Sequence, residues 1–204
     1  MVAKKQIFYG LVLVGGQSSR MKKNKALLNY HGRPQFAYCH DLLSKFCTKI
    51  YLSGRKEQNK KFSANKFFRI DDLKQFIGIG PLAGILSAMQ KYPKAVWLVL
   101  GCDLPFVTEK ILKNLISKRD PHKIATAYIS AYDQLPEPLC AIYEVKGRKH
   151  LLRFLKKGIT CPRKIMIHSD IKLLKPLSKH SLDNINDVDE YRSAFARLKK
   201  NRKD

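Results

Sequence analysis

The chain has 204 residues, 45% of them hydrophobic, and 40 Lys and Arg side chains against 16 Asp and Glu give it a formal net charge of +24. This length supports one domain with a substantial core, and no apolar run approaches the roughly 20 residues of a membrane span. The five cysteines form no C-x-x-C pair, which argues against a zinc site and indicates reduced thiols. We therefore expect a single cytoplasmic domain over residues 1–204, with a basic tail at about 197–204 and no membrane association.

Apolar runs of strand length alternate with segments of helix length along the chain. The first run, IFYGLVLV at 7–14, lacks polar alternation, which is typical of a parallel strand covered on both faces. Further strands are predicted at 49–53, 67–70, 95–100, 124–129 and 139–144, and helices at 34–46, 81–91, 107–118, 147–157 and from 187 onward. This order predicts an α/β fold, a three-layer sandwich with a mostly parallel sheet of the Rossmann-like kind.

A loop rich in glycine, serine and cations follows the first strand and reads LVGGQSSRMKKNKALL over 13–28. Gly15 and Gly16 let the backbone approach a ligand closely, and N–H groups in such a loop can point at phosphate oxygens. The cations of the loop are Arg20, Lys22, Lys23 and Lys25. Neither the G-x-G-x-x-G nor the Walker A pattern is present. The loop predicts a phosphate site of another class, with an ordinary strand-turn junction as the alternative.

The loop resembles the L-x-G-G-x-S-x-R-M-G-x-D-K-x-x-L fingerprint of nucleotidyltransferases that activate phosphorylated metabolites. Its double glycine is most similar to the molybdenum cofactor guanylyltransferases, the MobA family. The matching residues are Leu13, Gly15, Gly16, Ser18, Arg20, Met21, Lys25 and Leu28. Later segments continue the resemblance in order, namely GPLAGI at 80–85, GCDLP at 101–105, EPLCAIY at 137–143 and NIND at 184–187. The resemblance therefore extends over most of the chain.

Two segments depart from the family pattern. Residues 21–25 read MKKNK where the family has Met-Gly-x-Asp-Lys, so the loop lacks a glycine and an acidic residue. This change raises the local charge and puts the loop path and the affinity for a triphosphate in question. Residues 186–189 read NDVD in place of Asn-Thr-Pro-Glu, which keeps the asparagine and acids at the start of a helix.

The resemblance implies transfer of GMP from GTP to the terminal phosphate of molybdopterin, with release of pyrophosphate and with Mg²⁺ as cofactor. It assigns nucleotide binding to Leu13, Val14, Gly15, Gly16, Ser18, Lys25, Ser53, Asp72 and Asp103. It assigns acceptor binding to Pro81, Leu82, Pro138, Leu139, Asn184 and Asn186. Other proteins of molybdenum cofactor biosynthesis are possible partners.

Three residues form the predicted catalytic set. Asp103 follows the apolar strand 95–100 and is the predicted magnesium ligand, since a carboxylate fixed at a strand end can hold a cation that contacts phosphates. Lys25 and Arg20 would offset the charge of the departing pyrophosphate. Ligands of open α/β sheets bind beyond the carboxyl ends of strands, so the glycine loop and Asp103 should share one crevice.

Several alternatives stay open. Asp71 fits the nucleotide contact almost as well as Asp72, Asn184 or Asn186 would equally cap the last helix, and 138–140 would serve as a buried strand start. A related enzyme that uses CTP or another NTP on a different phosphorylated acceptor is the second functional hypothesis, and a family member inactivated by its altered loop is the third. Nucleic-acid binding ranks below these, because the lysines are scattered and no recognition module is present.

Overall fold

The computed structural model of the chain describes residues 7–15, 24–57 and 67–200. Within these ranges the strands are β1 Ile7–Leu13, β2 Lys49–Gly54, β3 Phe68–Asp71, β4 Ala95–Gly101, β5 Ala125–Ile129, β6 Pro136–Tyr143 and β7 Lys172–Leu174. The helices with both ends in these ranges are α1 Gln35–Ser44, α2 Pro81–Lys91, α3 Glu109–Ser117, α4 Gly147–Lys156, α5 Pro162–Ile167 and α6 Val188–Lys200. Single 3₁₀ turns are formed by Lys25–Leu27 and Lys74–Phe76.

The seven strands form one sheet in the order β3-β2-β1-β4-β6-β5-β7. β1 pairs in parallel with β2 and β4, and the β2–β3 and β5–β7 pairs are also parallel. β6 is antiparallel to both of its neighbours. A parallel connection needs a crossover of a dozen or more residues, and the short link 130–135 between β5 and β6 permits only a hairpin. The prediction of a mostly parallel sheet is confirmed, with one reversed strand.

Helices cover both faces of the sheet, as the three-layer prediction requires. All seven residues of β4 are buried, and their side chains alternate between two cores. On one face Val96 and Leu98 belong to the core that includes side chains of α1 and α3. On the other face Trp97 and Val99 belong to the core that includes side chains of α2, α4 and α5. This two-sided burial explains why the strand has no polar alternation.

The predicted elements are found with ends that differ by at most three residues, and the helix Pro81–Lys91 has the predicted bounds. The largest shift is in β6, which begins at Pro136 rather than at residue 139. The sequence analysis does not predict α5 or β7, although Pro162 at the first position of α5 is a helix-start signal. Within the ranges given above, no helix is both long and apolar enough to span a membrane.

Candidate functional site

The carboxyl ends of two neighbouring strands define the site. β1 and β4 are adjacent and parallel, with Leu13 in register with Gly101. The loop that leaves β1 and the Asp103 segment that leaves β4 therefore start from the same edge of the sheet, as predicted. Gly15 is exposed at that edge. The predicted residues Gly16, Ser18 and Arg20 lie outside the described ranges.

Asp103 presents a carboxylate oxygen that has no hydrogen-bond partner in the part of the chain that the structure describes. Its Oδ1 is buried and accepts no hydrogen bond from the described residues. Burial raises the pKa of the Asp103 carboxyl, and the charge of Lys25 opposes this by lowering it. A Cβ on Gly101 would lie 2.5 Å from this Oδ1, so glycine leaves the space that the carboxylate occupies. An orphaned buried oxygen of this kind is available for a cation or a ligand.

Lys25 is held in a defined position by two hydrogen bonds around it. Asn24 precedes the 3₁₀ turn Lys25–Leu27, and its Oδ1 accepts a hydrogen bond from the Ala26 N–H at 3.0 Å. Lys25 Nζ donates to Asn186 Oδ1 at 2.9 Å, across 161 positions of sequence. The predicted residues Lys25, Asp103 and Asn186 are thus brought together.

The segment before α6 completes this group. Ile185 N–H donates to the main-chain oxygen of Asp103 at 2.9 Å. Asp187 caps α6, since its Oδ1 accepts a hydrogen bond from the Glu190 N–H at 2.9 Å. The alternative in which Asn184 or Asn186 caps the last helix is therefore wrong, because Asp187 takes that role. Asn184 has a buried Oδ1 with no partner among the described residues.

A first cleft of about 320 Å³ opens beside β1 and β2. It is lined by Leu13, Gly15, Ser53, Gly54, Arg55, Asp72, Ile77, Gly78, Gly80, Pro81, Ala83 and Gly84. This nucleotide cleft, as we call it, therefore contains five of the residues predicted from the sequence. Val14 is buried beside it, and its N–H donates to the main-chain oxygen of Ser53 at 2.9 Å.

Two polar side chains of the nucleotide cleft have unpartnered oxygens. Ser53 is only 1% exposed, and its Oγ has no hydrogen-bond partner among the described residues. Asp72 Oδ1 is also buried and has no hydrogen-bond partner among the described residues. Burial raises the pKa of Asp72 to about 6, Arg55 lowers it and Asp71 raises it. Asp71 ends β3, is exposed and does not line the cleft, so the structure distinguishes two candidates that the sequence could not.

A second cleft of about 390 Å³ adjoins the first, and we call it the acceptor cleft. It is lined by Gly78, Ile79, Gly80, Pro81, Glu137, Pro138, Leu139, Thr160, Cys161, Pro162, Arg163 and Asn184. Gly80 lines both clefts and has a φ of 63°, a backbone conformation that glycine adopts without strain. Four predicted acceptor residues meet here, whereas Leu82 is fully buried in the core and lines neither cleft.

Glu137 and Arg163 are site residues that sequence reasoning missed. Glu137 is 2% exposed, its Oε1 accepts a hydrogen bond from Leu139 N–H at 2.9 Å, and its Oε2 accepts one from Arg163 Nη2 at 3.1 Å. Burial raises the pKa of Glu137 to about 6, Asp103 adds to this, and Arg163 opposes it. The bridge fixes α5 against β6 at the edge of the acceptor cleft. Only the position of Glu137 just before Pro138 could have suggested its role.

Comparisons with known proteins agree with this geometry. The family of MobA-like NTP transferase domains matches residues 10–171. A molybdenum cofactor biosynthesis bifunctional protein of Synechocystis sp. is 37% identical over 183 residues, which are 90% of this chain, and this chain spans about half (52%) of that protein. A probable molybdenum cofactor guanylyltransferase of Clostridium perfringens is 30% identical over 190 residues, 88% of this chain and 92% of that one. The crystal structure of molybdopterin-guanine dinucleotide biosynthesis protein A from Archaeoglobus fulgidus superposes with a TM-score of 0.77 at 25% identity, covering 94% of this chain and 99% of that one.

Proposed function

The chain belongs to the family of MobA-like NTP transferase domains, and from this premise we propose that it transfers GMP from GTP to the terminal phosphate of molybdopterin, releasing pyrophosphate. The names of its relatives support this choice of substrates. The observation that carries the proposal is the position of Asp103. Its buried Oδ1 has no hydrogen-bond partner among the described residues, and its carboxylate interacts electrostatically with Lys25, which is hydrogen-bonded to Asn186. Such an arrangement suits a reaction between two anionic substrates.

The reaction needs alignment and charge compensation more than acid-base chemistry. A phosphomonoester has a second pKa near 6, so the attacking phosphate is already largely a dianion at neutral pH. The chain must bring that phosphate to the α-phosphorus of the nucleotide and offset the charge of the leaving pyrophosphate. Lys25 supplies a fixed positive charge for this purpose, and its hydrogen bond to Asn186 limits where the ammonium group lies.

Magnesium is the cofactor that we propose. Mg²⁺ prefers oxygen ligands and is commonly held by one or two carboxylates together with substrate phosphates. The orphaned Oδ1 of Asp103 fits that description, and the described residues contain no cluster of three or more metal-binding side chains that would make a separate cage. When bound, the ion neutralises phosphate charge. The role of Asp103 is to hold it at the strand edge.

The two orphaned oxygens of the nucleotide cleft favour a guanine base. Guanine offers adjacent N1–H and N2–H donors on one edge, whereas cytosine and adenine offer one donor there beside an acceptor. A carboxylate accepts hydrogen bonds only, so Asp72 Oδ1 complements the guanine edge best. Ser53 Oγ is the second acceptor within the cleft. These two acceptor oxygens support GTP over CTP, the alternative nucleotide.

A cytoplasmic location and contacts with other proteins of molybdenum cofactor biosynthesis are part of the proposal. All five cysteines are free thiols, which suits a reducing compartment. Such partners would supply molybdopterin or accept the dinucleotide product. Copurification of these proteins with the tagged chain from a cytoplasmic fraction tests both statements.

Pyrophosphate release by the purified protein with Mg²⁺ and molybdopterin tests the function. We expect release with GTP and little with CTP or ATP. Asp103→Asn should reduce the rate at least a hundredfold, since the amide cannot replace a charged metal ligand. Asp170→Asn is the matched control, because Asp170 is exposed, pairs with Lys123 and lines neither cleft. Equal rates for wild type and Asp103→Asn would refute the assignment, and release with CTP alone would establish the alternative nucleotide.

A further inference from the structure

We propose that Glu190 is a positioning residue, which holds Asn186 and through it Lys25 in place beside Asp103. The inference rests on the proposed function of the site, since it assigns Lys25 to the triphosphate. It adds a residue that lines neither the nucleotide nor the acceptor cleft and acts on Lys25 through Asn186.

A relay of two hydrogen bonds connects Glu190 to Lys25. Glu190 Oε2 accepts a hydrogen bond from the Asn186 N–H at 2.6 Å. Asn186 Oδ1 in turn accepts the hydrogen bond from Lys25 Nζ at 2.9 Å. The first bond fixes the backbone at residue 186, and the second depends on where that backbone directs the amide oxygen. Glu190 thereby influences the ammonium group without contacting it.

The backbone of Glu190 is held by the start of α6. The Glu190 N–H donates to Asp187 Oδ1 at 2.9 Å, while the Glu190 carboxylate accepts from the Asn186 N–H. This resembles a capping box, in which a carboxylate three residues into a helix reaches back to the N-cap. Here the carboxylate reaches one residue further back and takes the N–H of the residue that binds Lys25. The cap and the site therefore share one side chain.

α6 is attached to the loop that carries Lys25 by a small core of its own. This core consists of Leu28, Tyr30, Ile185 and Ala194. Tyr191 OH also donates to the main-chain oxygen of Asn29 at 3.3 Å. The segment that directly follows the Lys25 turn and α6 thus share one core, and the relay sets the orientation of two side chains beside it.

If Glu190 only stabilised α6, a different result would be expected. A matched variant distinguishes this role from the positioning of Lys25. A negative charge in the first turn of a helix stabilises the helix whichever residue carries it. Asp189 is the neighbouring acid, its side chain is 92% exposed, and it forms an ion pair with Arg192 at 3.4 Å. Asp189→Ala removes the same charge as Glu190→Ala and leaves the relay intact. Glu190→Gln keeps an acceptor oxygen and is the conservative rescue.

The rate at which Lys25 is chemically labelled tests the two hydrogen bonds without any substrate. We expect limiting acetic anhydride to acetylate Lys25 about fivefold faster in Glu190→Ala and in Asn186→Ala than in wild type. Loss of one ordinary hydrogen bond increases the population of the free ammonium group by about this factor. Asp189→Ala and Glu190→Gln should label like wild type, with peptide mass spectrometry as the readout. Equal labelling of Glu190→Ala and wild type would overturn the proposal, and so would equal effects of Glu190→Ala and Asp189→Ala.

Kinetics provide the second readout. Glu190→Ala should raise the KM for GTP and lower kcat, each by the same factor as Asn186→Ala does. The kcat/KM of the double variant should be no lower than that of either single variant. Additive losses would overturn the relay. A wild-type protein that released no pyrophosphate would refute the proposed function alone, because the labelling pattern would still test whether Glu190 positions Lys25.

Discussion

At the scale of single residues, the nucleotide cleft keeps polar atoms buried without partners in the described part of the chain. Ser53 Oγ and Asp72 Oδ1 both lie there. Leaving a buried polar group unsatisfied costs about 1–3 kcal/mol, so a ligand that donates hydrogen bonds to these oxygens is favoured by about that amount over a ligand that cannot. This explains why the cleft can be specific without many charged residues.

Asp72→Asn should stabilise the protein at neutral pH. The pKa of Asp72 is about 6 in the folded chain, against 3.8 for the ordinary group, because burial disfavours the charged form. The folded state therefore binds the proton more tightly, and stability that is present at low pH is lost as the pH rises through about 6. Asparagine stays neutral, so the gain in free energy of unfolding should be about 1–2 kcal/mol at pH 8, after allowance for solvent screening.

Urea unfolding at several pH values measures this gain. The difference between Asp72→Asn and wild type should shrink toward zero below about pH 4, where both folded and unfolded carboxyls are protonated. Asp170→Asn is the matched control, because Asp170 is exposed and lines neither cleft. A gain that is independent of pH would contradict burial as the cause.

Asn24 replaces an acidic residue of the family pattern, and the structure shows what the replacement retains. Its Oδ1 caps the turn that carries Lys25. Asn24→Ala should lower kcat about fivefold by loosening that turn, since a lost cap costs about 1 kcal/mol. Asn24→Asp keeps the cap but adds a negative charge beside Lys25, so the KM for GTP should rise by a similar factor. Steady-state kinetics distinguish the two effects, and a large gain in turnover for Asn24→Asp would instead identify the natural loop as impaired.

The sequence predicted the role of a residue when the signal was local, and it did not predict partners that lie far away along the chain. Asp103 was predicted because it follows an apolar strand, and the structure places it at that strand end. Its closeness to Asn186 could not be derived from spacing, because the partners of Lys25 come from the far end of the chain. Arg163 gave no signal, since its role depends on an ion pair with a buried carboxylate.

At the scale of elements, the close approach of α2 to the sheet shapes the nucleotide cleft. A Cβ on Gly84 would lie 2.7 Å from Ser53 Oγ and 2.8 Å from Leu13 Cδ2. Both neighbours line the nucleotide cleft. The absence of a side chain at residue 84 therefore lets the helix, β1 and β2 form one wall of the cleft.

Gly84→Ala should destabilise the protein by about 1 kcal/mol and weaken GTP binding. Alanine gains about 1 kcal/mol in helix propensity, but overpacking against the sheet costs about 1–3 kcal/mol, so the clash outweighs the gain. Thermal unfolding and nucleotide titration measure both effects. Adding Ser53→Ala removes one of the two clashing groups and should recover part of the stability. A Gly84→Ala protein more stable than wild type would show that α2 can shift freely.

The elements were predictable to the extent that local pattern determines them. β4 was identified because a strand buried on both faces is apolar throughout. The direction of β6 was not predicted, although the short link before it excludes a crossover. The strand β7 has only three residues, Lys172–Leu174, and two of them are exposed, so its existence depends on pairing with β5 rather than on its own composition.

At the scale of the whole molecule, the formal net charge of +24 opposes compaction. Like charges repel within the folded chain, and salt screens that repulsion. We expect the Tm in sodium chloride to rise by about 2–4 °C between about 20 mM and about 300 mM, a change equivalent to about 1 kcal/mol for a chain of this size. Sucrose at matched osmolality is the control for general solute effects. A Tm that falls with salt would mean that ion pairs outweigh repulsion.

The same positive charge attracts anionic substrates. The fold places the proposed binding residues at one edge of the sheet, where β1 and β4 end. The carboxyl ends of β1 and β4 bring Asp103 and the two clefts together, and the Lys25–Asn186 bond links the first loop to the segment before α6. The proposed function of these residues is to join two anions at this edge.

Transfer of radiolabel from [α-³²P]GTP to molybdopterin measures that event most directly. We expect a product in which labelled GMP is joined to the terminal phosphate of molybdopterin. Wild type and Asp170→Asn should form this product, and Asp103→Asn should not. Label that stays in GTP or appears as free GMP, with folded protein and authentic acceptor present, would contradict the proposed function.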